Sequence, residues 1–390
     1  MKWKFYSLAF VAGMSILTAY SCDDNNDNDG NGGNGNGNEI ENGTILKGTI
    51  TSDVTLAAGN TYKLSGEYIV EEGATLHIEE GVKIIAVYDD IADYILVKQG
   101  GKINAVGTSD KPIVMTSEKE EPGAWGGIHI CGRAHTNAEG GKGSSEIGGA
   151  VYGGNDDADN SGTLQYIRLE YTGFAFDEEH EANGISFYGV GNGTIVDHCQ
   201  AYKGSDDGFE FFGGSVNVSN LVAVSCSDDS FDWTEGWNGK GTNLVAYQEA
   251  ESTLGYDCDC LMECDNNGSN NAATPVAHPV LKNLILVGNG GSKQGIRLRA
   301  GTEVEIDNAK VCGKGQPLTV ETALTENALK NGTSKLTNIT LTSELSCKEG
   351  IYTHADFIAV TSNMVDANLS YSSFEDIKKE CSWMNGSWVK

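Results

Sequence analysis

The sequence predicts an all-β chain wound as a right-handed parallel β-helix, a solenoid with surface insertions and a short C-terminal helix. Three observations predict it. First, Ser205-Asp206-Asp207-Gly208-Phe209-Glu210-Phe211 returns 22 residues later as Ser227-Asp228-Asp229-Ser230-Phe231-Asp232-Trp233. Second, Val218-Ser219-Asn220-Leu221-Val222 is echoed around Asn243, Asn283, Asn308 and Asn338, in steps of 23 (220 to 243), 40 (243 to 283), 25 (283 to 308) and 30 (308 to 338). A step in the low twenties, broken by occasional insertions, marks a stacked repeat. Third, each phrase is a run of about five Val-, Ile-, Leu- or Phe-rich residues between Gly, Asn and Asp turns, with no helical pattern of about 10 to 15 residues in between. Roughly two dozen residues hold two or three strands and their turns, which is one coil of a β-helix.

Registry has consequences. Equivalent residues stack one rung above another at about 4.8 Å. Asn220, Asn243, Asn283, Asn308 and Asn338 are therefore expected to form an inward ladder, each amide satisfying the next. His198 sits at the matching place one rung earlier and ends the ladder.

The chain divides into three segments. Residues 1–22 read as a targeting segment: Lys2 and Lys4 precede an apolar stretch from Phe5 to Tyr20, which at 16 residues is short for a membrane span. Ser21 before the lone Cys22 resembles a bacterial lipoprotein signal, which implies acylation of Cys22. The acidic run Asp23-Asp24-Asn25-Asn26-Asp27 resembles the surface-export signal of Bacteroidetes lipoproteins. Residues 23–42 are nearly all Asp, Asn, Gly and Glu, a composition that buries no core and acts as a tether of roughly 25 Å. Residues 43–390 form the β-helix domain. Strand-like runs begin at Thr44-Ile45-Leu46 and continue through Pro112-Ile113-Val114-Met115, with Gly100-Gly101 and Gly107 at turns.

Two insertions interrupt the winding. Residues 132–162 are glycine-rich and polar, a surface excursion; residues 248–279 hold Cys258, Cys260 and Cys264 and account for the 40-residue step. Two short helices are expected later, over Val320 to Lys330 with Gly332 beyond its end, and over Ser373 to Met384 with a capping box between Ser372 and Glu375. The face of Phe374, Ile377 and Cys381 is expected to cover the open end of the solenoid, whose last rung must not be left bare.

Charge narrows the partners. With 26 Lys and Arg against 55 Asp and Glu, the net charge of −29 argues against nucleic acid and anionic membrane surfaces, and leaves cations and neutral or cationic ligands. Ten cysteines leave nine beyond Cys22. Cys199 and Cys226 are expected at similar rung positions, as stacked small hydrophobes or as a disulfide. Cys258, Cys260 and Cys264 lack the paired spacing of a zinc site and favour a loop disulfide.

The strongest chemical feature is a wall of carboxylates. Asp206, Asp207 and Glu210 recur as Asp228, Asp229 and Asp232, and Asp177, Glu178, Glu179 and Glu181 occupy the turn before Gly184. Stacked acids repel unless protonated or compensated. Calcium suits such a wall, since it takes about six to eight oxygens from flexible turns; solvated turn aspartates are the alternative. Aromatic residues crowd the same rungs. Alternation puts Phe209, Phe211, Phe231 and Trp233 inside and Glu210 and Asp232 outside. Phe212 and Trp237 fall at turns, where beside Glu235 they would offer a platform for a sugar or peptide. Tyr188, Trp125 and His129 are further candidates.

Part of this region resembles the polygalacturonase family, itself a right-handed β-helix. Asp207-Gly208 is similar to its Asn-Thr-Asp-Gly element, Asp228-Asp229 to its Asp-Asp, and Arg297-Leu298-Arg299 loosely to its Arg-x-Lys; its Gly-His-Gly element has no counterpart. The resemblance implies Asp207, Asp228 and Asp229 as acid and base carboxylates of an inverting hydrolysis. Arg297 and Arg299 would bind ligand or neutralise the wall. As a whole, the phrases Asp207 to Gly214 and Asp228 to Trp237 resemble surface lipoproteins of Bacteroidetes type with this fold. That resemblance implies the fold and an outer-membrane surface location. The function expected of the chain is non-catalytic binding of a glycan or peptide, as an accessory to an outer-membrane nutrient transporter. A polysaccharide hydrolase or lyase, or a structural or adhesive protein, is the alternative.

Overall fold

Each repeated phrase forms a long strand bent in its middle. In Asn217–Val224, Lys240–Tyr247, Val280–Val287, Glu305–Cys312 and Lys335–Leu341 the bend falls on Asn220, Asn243, Asn283, Asn308 and Asn338, with φ between 55° and 65°. Among residues other than glycine, Asn enters this left-handed region most readily, because its short amide bonds locally. The half-strand before each bend pairs on one face of the coil and the half after it on a second. A third face is built from short strands that include Ile185–Tyr188, Phe209–Phe212, Phe231–Thr234, Met262–Asp265, Gln294–Arg299 and Gln316–Val320.

The computed structural model describes residues 38–89, 91–176 and 180–390. Cys22, the tether through residue 37, and Asp177, Glu178 and Glu179 lie outside the described residues. Within them, 25 strands join in one parallel sheet that wraps through the three faces, a right-handed parallel β-helix. Parallel strands joined by crossovers take that hand almost without exception.

Registry follows the repeat. Leu221, Leu244, Leu284, Ala309 and Ile339 are successive partners on the second face, all buried. On the third face Phe209 pairs with Phe231 and Phe211 with Trp233. Rings stack inside: Phe187 on Phe211 at 5.0 Å, Phe209 on Phe231 at 5.6 Å, Phe211 on Trp237 at 4.1 Å. Each such contact contributes about 0.5–1.5 kcal/mol beyond area burial. Rungs approach closely where the side chain is absent: a Cβ on Gly184 would meet Gly208 O at 2.3 Å.

The Asn ladder exists but points outward. Asn243 Nδ2 donates to Asn220 Oδ1 (2.8 Å), Asn283 to Asn243 (3.0 Å) and Asn308 to Asn283 (2.9 Å). Asn338 leaves the column and donates to Asp307 at 2.6 Å. Each amide is half-buried or exposed, because a left-handed residue at a convex bend turns its side chain to the outside. His198 continues the column with φ 53°, stacked on Tyr166 at 4.4 Å. Asp197 starts it. Burial pushes its carboxyl up, but hydrogen bonds from His198, Ser219 and Asn220 outweigh that and hold it at about 2.

Four further expectations change. Residues 248–279 are not one insertion, because Met262–Asp265 is a strand of the third face between Phe231–Thr234 and Gln294–Arg299. All nine described cysteines are free, so neither the loop disulfide nor a Cys199–Cys226 bridge exists. Cys199 pairs in register with Leu221, while Cys226 lies in a turn, so the two never align. The helices are shorter, Ala323–Asn331 with Gly332 at its C-cap and Phe374–Glu380 with no cap bond from Ser373. A capping box forms instead at Thr353 and Asp356.

The C-terminal segment does not cap the stack. Ile377, Cys381, Met384, Trp388 and Val389 pack on Val222, Val245, Ile285 and Val287, the outer side of the second face. The strap runs back toward the N-terminus, where Ser387 N donates to Ser109 O (2.7 Å) and Lys390 N to Gln200 Oε1 (2.8 Å). The last coil is covered instead by helix His354–Ala359, which sends Phe357 into the core.

Candidate functional site

On the third face the outward positions form a column: His129, Ser186, Glu210, Asp232, Glu263, Arg297, Thr319. Strand alternation makes it, since the inward neighbours are the stacked aromatics. The turns entering this face add Asp206-Asp207, then Asp228-Asp229, then Asp259-Cys260. These turns are clipped together: Asp207 Oδ1 accepts Asp229 N at 2.9 Å, and Asp229 Oδ1 accepts Cys260 N at 2.6 Å.

The excursion at 132–161 folds over the N-terminal half of this face. Ile147, Ala150 and Tyr152 bury against Leu96, Cys131, Tyr188 and Phe212. It hangs Glu146 over the acidic rungs, while its Thr136 and Asn137 reach past them to Glu235 and Asn266. A second loop, bridged between Ala175 and Glu181, adds Glu181. The result is an open pocket of about 250 Å³ lined by Glu146, Glu181, Asp206, Asp207, Glu210, Asp228 and Asp232. Every described residue lining it is an acid.

Such crowding is visible in the carboxyls' proton affinity. Burial, with Asp228 next in importance, pushes Asp206 up to about 7. Burial pushes Glu146 to about 7 against partial relief from Tyr188 and His180. Burial, then neighbouring carboxylates, holds Asp207, Glu210, Asp229 and Asp232 well above the ordinary range. Direct ion pairs to arginine lie lower on the wall. Arg297 pairs with Glu263 (2.9 Å) and Glu321 (3.1 Å), and Arg299 pairs with Asp265 (2.7 Å) and Glu263.

The donor set fits a hard divalent cation. Asp206, Asp207 and Asp228 bring carboxylate oxygens within 4.8 Å of one another, as do Asp207, Glu210 and Asp232, and Asp229, Asp232 and Glu263. Asp232 Oδ1 is buried with no hydrogen-bond partner. An oxygen-only set at a turn suits calcium better than zinc or copper.

The platform residues fall elsewhere. Trp237 is 1% exposed, with its ring stacked on Phe211 and its Nε1 donating to Val216 O, because the turn after Phe231–Thr234 folds inward. Phe212 is covered by the excursion and stacked on Tyr188 at 4.4 Å. Glu235 accepts from Thr136 and Tyr152 of the same excursion. Tyr188, Trp125 and His129 are fully buried, and burial lowers His129 to about 4. Arg297 and Arg299 act as counter-ions of the wall. Asp207 and Asp229 are 6% and 4% exposed and spend oxygens on backbone, whereas Asp206, Asp228, Glu210 and Asp232 remain at the pocket surface.

Sequence reasoning missed Glu146, Asp259 and Glu263. Asp259 and Glu263 lie one rung beyond Asp228 and Asp232, hidden by a longer step. Glu146 comes from a segment outside the repeat, and no spacing signals it.

A family model described as a pectate-lyase-like β-helix domain matches residues 48–389. No curated protein matches the chain, and no solved structure does.

Proposed function

The chain belongs to the pectate-lyase-like β-helix domain family, and from that premise we propose that its third face binds calcium and, through it, an acidic glycan. One observation carries the reading: seven carboxylates from separate rungs and loops line a single pocket, and no basic residue is among its described lining residues. Calcium would be held by Asp206, Glu210, Asp228 and Asp232, with Asp207 behind them. The cation inverts the local charge and offers a uronate carboxylate the positive partner that the bare pocket denies it. The family's name points to the same class of polymer.

A binding role is favoured over hydrolysis. Two of the three acids that a polygalacturonase-like mechanism needs, Asp207 and Asp229, are buried and bonded to backbone N–H groups. A general acid must reach the glycosidic oxygen.

The reading includes attachment to the outer face of an outer membrane through acylated Cys22, beside a nutrient transporter. Metabolic labelling with a fatty acid tests this part; label retained in Cys22→Ser removes it. The binding role is tested on a panel of uronic-acid polysaccharides with calcium or with chelator. The expected outcome is retention only with calcium. No retention in either condition sinks the proposal.

A further inference from the structure

A second concavity lies on another corner of the coil, where the strap passes the Asn ladder. It measures about 220 Å³. Asn243, Asn283 and Asn308 form one wall, and Glu380 and Trp383 of the strap form the other, with Lys310 beside them. Three features set its chemistry.

Charge is balanced. Lys310 Nζ lies 2.5 Å from Glu380 Oε1, and these are the two charged residues lining the groove. A free ion gains nothing there, in contrast to the acidic pocket. Polar capacity is left over. Each ladder amide has two N–H groups and spends one on the previous rung. Asn308 Oδ1 takes no amide from the next rung, because Asn338 turns to Asp307. The groove thus presents N–H donors repeated at about the 4.8 Å rung spacing and, at Asn308, a free acceptor. Finally, Trp383 keeps part of its ring accessible. Its indole is held edge-on to His198 (6.3 Å) and tilted against Trp388 (6.2 Å), so its orientation is set before any ligand arrives.

Amides that both donate and accept suit vicinal hydroxyls, and an indole suits the apolar face of a pyranose ring. We propose that this groove binds one or two residues of a neutral glycan, independently of calcium and of the acidic pocket. The protein would then hold an acidic polymer on one corner and a neutral one on another.

The test titrates the full chain, in chelator, with four neutral probes: cellohexaose, xylohexaose, mannohexaose and maltohexaose. The indole N–H resonance of Trp383 reports binding. At least one probe is expected to shift it, and Trp383→Ala to weaken that probe by about tenfold or more. Because Trp383 also packs on Trp388, Asn308→Gly serves as a second variant that keeps the bend, and it is expected to weaken binding as well. No shift with any of the four probes overturns the proposal. Affinity unchanged in both variants, with their melting near that of the parent, overturns it equally.

Discussion

Asp207 Oδ1 accepts the backbone N–H of Asp229 at 2.9 Å, so a carboxylate of the acidic wall also fastens one coil to the next. Stability and ligand affinity therefore pull in opposite directions at this residue. Asp207→Asn keeps an acceptor for Asp229 N–H and removes one charge from the cluster. In chelator it is expected to be at least as stable as the parent, and to bind calcium more weakly. Asp207→Ala orphans a buried N–H and should lose about 1–3 kcal/mol. Denaturant midpoints with and without calcium separate the two effects.

Proton affinity predicts a pH profile. Asp206 and Glu146 are raised from the ordinary carboxylate range to about 7 in the folded chain. Between about pH 4 and 7 the folded state binds more protons than the unfolded one, so stability falls as pH rises through that window. His129, held neutral down to about 4, acts in the opposite sense with a single proton. Several acids outweigh it. Melting temperature in chelator should decline from pH 4 to 7, and calcium should flatten the decline. A rise across that window in chelator would contradict the assignment.

The ladder separates backbone strain from hydrogen bonding. Asn243 holds φ 60° and bonds to both Asn220 and Asn283. Asn243→Gly loses the bonds alone. Asn243→Ala loses them and adds about 1–2 kcal/mol of left-handed strain. Equilibrium denaturation should rank the parent first, Gly second and Ala last.

The strap predicts a core-sized effect from the last few residues. Trp388 is fully buried on the outer side of the second face. Trp388→Ala should lose about 3–5 kcal/mol, and dye binding should report newly exposed Val222, Val245 and Ile285.

Much of this was legible in the repeat. A fixed step gives registry, and registry with alternation put Phe209 and Phe231 inside and Glu210 and Asp232 in one outward column. Alternation fails at the bends. A left-handed residue resets the period, which is why the Asn column faces out rather than in. Trp237 was misplaced for a related reason: the turn that carries it, with Glu235 at φ 54° and Gly236 at φ 85°, folds back beneath the third face. Glu146 and the path of the strap were illegible, since both are set by long-range packing of segments with no repeat. The cysteines misled because compartment suggested disulfides, while eight of the nine described thiols are simply buried unpaired.

Isothermal titration of calcium into the chelator-stripped chain at neutral pH tests the central claim most directly. The account predicts saturable binding, a melting temperature raised by several degrees, and loss of both in Asp232→Asn. No heat of binding, with melting indifferent to calcium, would contradict it.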